Sequence, residues 1–277
     1  MPNVIVPRPR RVRTHKAKNL VEATWNKAWA KSWVLENTPF HAPDSYITAA
    51  SFQILSKWLE TMPEGRQVVV KPHTCSLSRG VRIVSRQGLQ FQNGNVRGFN
   101  LKELLAEIAS DLPKIQTAFK WLVEEYIYPP PPVLADLRPD GLFNPLARNV
   151  MVNGKFHFGE LHIPTIASKG RGTLKGGAKR ICYNWQGELQ MAMPSIEGEP
   201  PWNALNYGVG VDVVGRKLPN FDWVREQLEE MASILCPDKM FSIDGCFNES
   251  GEFVVVEIEA RPNVKHLIPF KGLRKPE

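Results

Sequence analysis

Cysteine is scarce in this 277-residue chain: there are four, Cys75, Cys182, Cys236 and Cys246, and no Cys-x-x-Cys pair. That spacing argues against a zinc site or a disulfide framework, so a reduced, intracellular chain is the expectation. Long hydrophobic runs are missing too; stretches such as Val68–Val70 and Val254–Val256 are far too short to span a bilayer. The N-terminus is rich in arginine and proline and lacks the apolar segment of a secretory signal, which makes a cytoplasmic location the expectation. No internal repeat is evident. The pattern Gly-x-x-x-x-Gly-Lys-Ser/Thr does not occur, which rejects a P-loop. Nor is there a Ser/His/Asp or Cys/His pattern that would mark a covalent nucleophile.

What remains is an ordinary globular composition, long enough to bury a substantial core as one large domain or two interlocked lobes. The charge is uneven. Arg8, Arg10, Arg11, Arg13, Lys16 and Lys18 precede the first acid, Glu22, and supply six of the seven net positive charges. A second acid-free stretch, from Leu161 to Gly187, holds Lys169, Arg171, Lys175, Lys179 and Arg180. Such clusters attract phosphates, nucleic acid or an acidic substrate, although a basic terminal arm is as readily a solubilising one.

Periodicity places the elements. A helix is predicted over about Asn19 to Leu35, where Trp25, Trp29 and Trp33 recur every four positions as a core face. Thr38–Pro43 breaks it, and a second helix is predicted near Ala49–Thr61. Strands follow near Gln67–Lys71, Val81–Ser85 and Leu89–Gln92, then helices at Leu101–Ser110 and Lys114–Trp121 and a strand at Leu122–Ile127. Pro129–Pro132 reads as a stiff hinge. A hairpin with an Asn153-Gly154 turn spans Asn149–Ile163, Lys169–Gly177 reads as a mobile loop, and Phe221–Leu235 is an amphipathic helix. Helices mixed with mostly antiparallel strands indicate an α+β fold.

Two segments carry chemistry. Near the C-terminus, Phe241–Gly251 and Glu252–Pro262 read as strand, turn and strand. Asp244 lies on the first strand, and Glu257 and Glu259 sit two apart on the second, so both glutamates share a face. Acids crowded on a strand that otherwise reads as buried repel unless a cation lies between them. Oxygen-only ligands suit Mg²⁺ or Mn²⁺, and Mg²⁺ held by carboxylates normally also holds nucleotide phosphates. The second segment is Val68–Lys71, a strand ending in a lysine, which delivers a point charge to the mouth of a site. The small polar loop after it, with Ser76, Ser78 and Gly80, offers backbone N–H groups to a phosphate chain. Of the histidines, His162 reads as a satisfied packing residue.

The order and spacing of these segments, from about Asn26 to Arg261, resemble the ATP-grasp superfamily, the fold of D-alanine ligase, biotin carboxylase and glutathione synthetase. The resemblance implies two α+β lobes, mostly antiparallel, clasping ATP. Its implied divisions are a basic arm (1–18), an N-terminal helical region (19–64), a small lobe (65–127) and a large lobe with the metal-binding hairpin (128–277). Lys27, in Asn26-Lys27, and Lys71, in Val-Val-Val-Lys-Pro, look like the two nucleotide-binding lysines, and Ser76, Ser78 and Gly80 like the phosphate cover. Glu124, Glu125 and Ile127 are similar to the linker that reads the adenine edge, and Asp136-Leu137-Arg138 to an Asp-x-Arg strand segment. Asp244, Glu257 and Glu259 match the metal ligands. Two departures stand out: the cover loop is rich in serine rather than glycine, and Glu259 replaces the usual Asn, adding a negative charge.

The implied activity is an ATP-dependent ligase joining a carboxylate to an amine through an acyl phosphate, with Mg²⁺ or Mn²⁺. Arg138 or Arg261 would stabilise the developing charge. The implied substrates are small-molecule or peptide carboxylates and amines, with an anionic substrate met by the basic loop. With fewer than about thirty residues before Lys27, the substrate site is expected to be built from the arm and the basic loop, with or without a partner chain. Two alternatives stand beside this: a kinase of the same fold, and a non-catalytic nucleotide- or nucleic-acid-binding protein that uses the basic arm.

Overall fold

The computed structural model describes residues 26–73, 81–88, 90–93, 96–110, 120–137, 144–165, 178–193, 213–260 and 262, without the side chains of 91–93, 96–97 and 191–193. The first half contains α1 (Lys27–Asn37), β1 (Ser45–Ala49), α2 (Phe52–Thr61), β2 (Gln67–Pro72), β3 (Arg82–Gln87), β4 (Gln90–Asn93), β5 (Val96–Phe99), α3 (Leu101–Ser110) and β6 (Trp121–Glu125). The second contains α4 (Pro132–Ala135), β7 (Leu146–Val152), β8 (Lys155–Ile163), β9 (Lys179–Tyr183), β10 (Leu189–Met193), α5 (Phe221–Leu235), β11 (Met240–Phe247) and β12 (Phe253–Glu259). Among the described residues the strands form two six-stranded sheets, ordered β1-β6-β2-β3-β4-β5 and β10-β9-β8-β7-β11-β12. Every strand pairing within them is antiparallel, and the fold is α+β. None of the described helices is long and apolar enough to cross a membrane.

Local chemistry accounts for the helices that back the sheets. The Ser51 hydroxyl accepts from the Ile54 N–H at the start of α2. Asn100 and Glu103 cap α3 reciprocally, each side chain accepting from the other's backbone N–H. These two helices lay Leu55, Leu59, Leu104 and Ile108 on Val68, Val70, Val84, Trp121 and Val123 of the first sheet. Strand alternation then turns Lys71 and Glu124 to the opposite face. In the second sheet α5 supplies the cover, burying Phe221, Val224, Leu228 and Met231 at helical spacing against Ala147, Leu161, Ile181, Phe241 and Ile243.

Several elements differ from the periodicity-based expectation. Ala49, predicted to start a helix, ends strand β1, because Ser45–Ala49 pairs with β6. Trp121, predicted as helical, opens β6 and is fully buried. Strands β5, β9 and β10 have no counterpart among the predicted elements; Lys179 and Arg180, which the sequence shows only as part of a basic stretch, both pair with β8. Asp136 lies at the C-terminal cap of α4 rather than in a strand. The buried residues of α1 are Lys27, Ala30, Lys31 and Val34, whereas Trp29 and Trp33 are only partly buried beside the core. The lysines can turn inward because carboxylates meet them there.

One glycine bears directly on this packing. Tyr183 is completely buried, and its hydroxyl donates to the Arg148 carbonyl (3.1 Å) and to Asn149 Oδ1 (2.9 Å). Its ring lies across Gly159, where any Cβ would overlap the ring carbons. Gly159→Ala should therefore destabilise the protein by about 1–3 kcal/mol. Chemical denaturation reads this directly, and an unchanged midpoint would show that Tyr183 has room to move.

Candidate functional site

Strand register builds a charged row across the second sheet. Glu257 of β12 stands opposite Asp244 of β11, which stands opposite Arg148 of β7. Arg148 stands opposite Glu160 of β8, and Glu160 opposite Cys182 of β9. Residues facing one another in a ladder share a sheet face, so this row lies on the face away from α5. Ser242, opposite Glu259, adds a second row beside it.

Arg148 dominates one end. Its Nη2 lies 2.7 Å from both Asp244 Oδ2 and Glu259 Oε2, and its Nε lies 3.2 Å from each Asp244 oxygen. Ser242 donates to Asp244 Oδ1 at 3.0 Å. Although burial acts against it, the charge of Asp244 and Glu259 raises the Arg148 pKa, so its charge is permanent. Two carboxylates therefore share one cation. The excess shows in Glu259, whose carboxyl is pushed up to about 7 by burial and by Asp244 and Glu257, with Arg148 only partly offsetting them.

That shift has a measurable sign. Between about 4.5 and 7 the native Glu259 holds a proton that the unfolded chain has already released. Its contribution to stability therefore falls as pH rises through that window. Glu259→Gln should remove this downward slope from a pH series of unfolding free energies. A slope identical to the parent's would place the titration elsewhere.

At the other end, α1 links the two sheets. Lys27 Nζ lies 2.8 Å from Glu257 Oε1 on the second sheet. One turn on, Lys31 Nζ lies 2.7 Å from Glu124 Oε1 and 2.7 Å from Ser45 Oγ on the first. Lys71 pairs with the other oxygen of Glu124. Burial alone would raise the Glu124 pKa, but Lys71 and Lys31 outweigh it and hold the carboxyl below its usual range. Glu257 behaves likewise: burial is overcome by Lys27 and Lys71. Lys31 is pushed down, first by burial and then by the neighbouring charge of Lys71, against the pull of Glu124. Here two cations share one carboxylate.

A third cluster sits further along the charged row. Glu160 accepts from Arg180 Nη1 at 3.0 Å and lies 2.9 Å from His162 Nε2, all three buried. Burial depresses the His162 pKa despite Glu160, which disfavours the imidazolium form. Cys182 and Cys246 are buried thiols pushed up, the latter to about 12, so neither is an activated nucleophile.

The structure thus brings together six of the residues that the sequence singles out: Lys27, Lys71, Glu124, Asp244, Glu257 and Glu259. Glu125 donates its backbone N–H to the Asp44 carbonyl (2.8 Å). The Ile127 carbonyl accepts from Asn144 Nδ2 (2.9 Å), which also reaches the Phe247 carbonyl (3.0 Å) and so ties the linker to β11. Ser76, Ser78, Gly80, Arg138, Arg261, the arm and the Lys169–Gly177 loop lie outside the described residues. Among the described residues no group of three His, Cys, Asp or Glu side chains converges as a ligand set for a metal. Glu257 is turned to Lys27, and Asp244 and Glu259 to Arg148. The donors still fit a hard divalent cation, since all are carboxylates on one face and one of them, Glu259, keeps a proton up to about pH 7 that such a cation would displace.

Arg148 and Lys31 belong to the site although no sequence motif marks them. Lys31 has a signal in the sequence, being one helical turn from Lys27 and hence on its face. Arg148 has none, because only the β7–β11 register sets it opposite Asp244.

No protein-family model matches this sequence, and no curated protein matches it. Solved structures do. The biotin carboxylase domain of 2-oxoglutarate carboxylase from Hydrogenobacter thermophilus is similar at 14% identity and a TM-score of 0.46, over 89% of this chain and 42% of that one. D-alanine–D-alanine ligase from Helicobacter pylori is similar at 15% identity and 0.49, over 90% and 58%. The L-amino acid ligase from Bacillus licheniformis is similar at 11% identity and 0.45, over 87% and 41%. The chain therefore spans about half the length of these three proteins. These are likenesses in the course of the chain, and they assign no residue a role.

Proposed function

We propose that this chain is an ATP-dependent ligase of the ATP-grasp type, joining a carboxylate to an amine through an acyl phosphate. The observation that carries the reading is a pair of opposite charge imbalances in one site. Lys31 and Lys71 share Glu124, leaving one positive charge in excess, while Asp244 and Glu259 share Arg148, leaving Glu259 to keep a proton up to about pH 7 for want of a second cation. The Lys27–Glu257 pair joins them, and Lys71 lies close enough to help depress the Glu257 pKa. A ligand that carries anionic phosphates and a divalent cation together relieves both imbalances at once.

In this reading Lys27 and Lys71 hold the phosphates, and Asp244, Glu257 and Glu259 hold Mg²⁺ or Mn²⁺. MgATP supplies the phosphoryl group and the countercharge for its transfer. The chain's own part is to fix these charges in a partly buried site, where they act more strongly than in open solvent. The linker from Glu124 to Ile127 would take the adenine edge, and the Ser76–Gly80 loop would cover the phosphates. Arg138 or Arg261 would stabilise charge at the acceptor carboxylate. No protein nucleophile is needed.

The test is ADP release with pools of amino acids, peptides and sugar acids as carboxylates, each with and without amines. Amine-dependent release is expected, slowed at least about tenfold by Glu257→Ala, the loss of one charged ligand. Phosphorylated product formed with no amine would replace the ligase by a kinase. Absence of ADP in every mixture, together with steeply salt-dependent binding to DNA or RNA, would favour the nucleic-acid reading of the basic arm.

A further inference from the structure

Lys31 contributes charge to the site but is given no ligand group to hold in the function proposed above, yet it is as deeply placed as the lysines that are. It sits on the inner side of α1, buried, with its ammonium on Glu124 and Ser45. Glu124 is nearly inaccessible, and each of its oxygens meets a different lysine. Such an arrangement is costly. A buried lysine is retained only where a carboxylate compensates it, and one carboxylate compensates one lysine. For the apolar face of a helix, methionine or leucine at position 31 would be the cheaper choice.

The arrangement makes sense if Lys71 leaves. An ammonium that moves from Glu124 to a phosphate would, without Lys31, abandon a buried carboxylate with no partner. That penalty would oppose ligand binding, and the fold would hold Lys71 on Glu124 instead. With Lys31 present, Glu124 keeps a cation at 2.7 Å whichever way Lys71 points. Ser45 keeps the Lys31 ammonium in place from the neighbouring strand. We propose that Lys31 is a positioning residue that holds the Glu124 carboxylate while Lys71 swings to an anionic phosphate of the ligand, a role that rests on the nucleotide-binding reading above. The same arithmetic sets the ligand's sign: with both lysines charged, the cluster is complete only with an added anion.

The experiment is binding of a non-hydrolysable ATP analogue with Mg²⁺, followed by calorimetry. Lys31→Met is expected to weaken binding at least about tenfold, because Lys71 is then retained by Glu124. Lys31→Arg keeps the charge and should bind within about threefold of the parent. The decisive variant is Lys31→Met with Glu124→Gln, which removes the carboxylate that would be stranded. It should recover most of the lost affinity, whereas a merely structural role for Lys31 predicts further loss. The unsubstituted protein gives an independent readout by nitrogen NMR of the lysine ammonium groups. The Lys71 signal should move on adding the analogue while the Lys31 signal stays.

The outcomes separate the two claims. A parent that binds no analogue overturns the nucleotide reading and this role with it. A parent that binds, with Lys31→Met binding equally well or the double variant binding worse, overturns the role of Lys31 alone.

Discussion

Glu124→Ala should destabilise the protein by about 3–5 kcal/mol, because it strands buried cations in contact with no carboxylate. Both Lys31 and Lys71 lose their partner, and each is less than a tenth exposed. For a chain of this size the loss corresponds to a fall in melting temperature on the order of 10 °C. The pH dependence adds a second signature. Since the native Glu124 pKa lies below its ordinary value of 4.5, its stabilisation is fully present above that value. It is lost as pH falls through the lower native value. Glu124→Ala should therefore flatten the acid limb of the stability curve below about pH 4.5. A destabilisation under about 1 kcal/mol, with an unchanged acid limb, would mean that water reaches these lysines.

Lys71→Met should do the reverse, sparing the fold and removing the activity. Without Lys71 the cluster reduces to Lys31 and Glu124, an electrically balanced pair at 2.7 Å. The methionine keeps most of the buried volume at the end of β2. Stability should then change by less than about 1 kcal/mol. Turnover should fall about 10²–10³-fold, the usual loss when one preorganised charge-stabilising donor is removed. ADP release and thermal melting, measured on the same preparation, give both numbers. ADP release at the parent's rate would remove Lys71 from the site. A melt lowered as far as that of Glu124→Ala would instead make Lys71, not Lys31, the main structural partner of Glu124. The contrast between the two substitutions is informative because the residues touch each other: one carboxylate serves the fold, and one of its two lysines serves the ligand.

Segments with strong local patterns are legible in the sequence alone. The amphipathic helix at Phe221–Leu235 is found with the same boundaries. The strand at Gln67–Lys71 extends by one residue, and the hairpin turn falls on Asn153 and Gly154, both with positive φ. The acidic hairpin is present, with Glu257 and Glu259 on one face as the two-residue period requires. Strand β1 is hidden because Ser45–Ala49 is short and runs into a helix cap at Ser51, so local pattern favours an earlier helix start. Strands β9 and β10 are hidden by the basic and glycine-rich residues before them, which outweigh the short apolar signal of Ile181–Tyr183.

The α+β class, the shared face of Glu257 and Glu259 and the lysine at the end of β2 follow from periodicity and residue type, which act over a few residues. Partner choice does not, because it depends on which strands pair and in what register. Lys27 and Glu257 lie over two hundred positions apart, and Arg148 meets Asp244 across 96. Tryptophan spacing suggests one inner face for α1, yet Lys27 and Lys31 occupy the buried side because acids from both sheets meet them there. By itself a charged side chain stays in water; only a counter-charge brought by the rest of the fold lets it turn inward. So it is with the carboxylates of the C-terminal hairpin: the sequence announces three acids in need of a cation, and only the tertiary structure shows Arg148 and Lys27 already partly meeting that need.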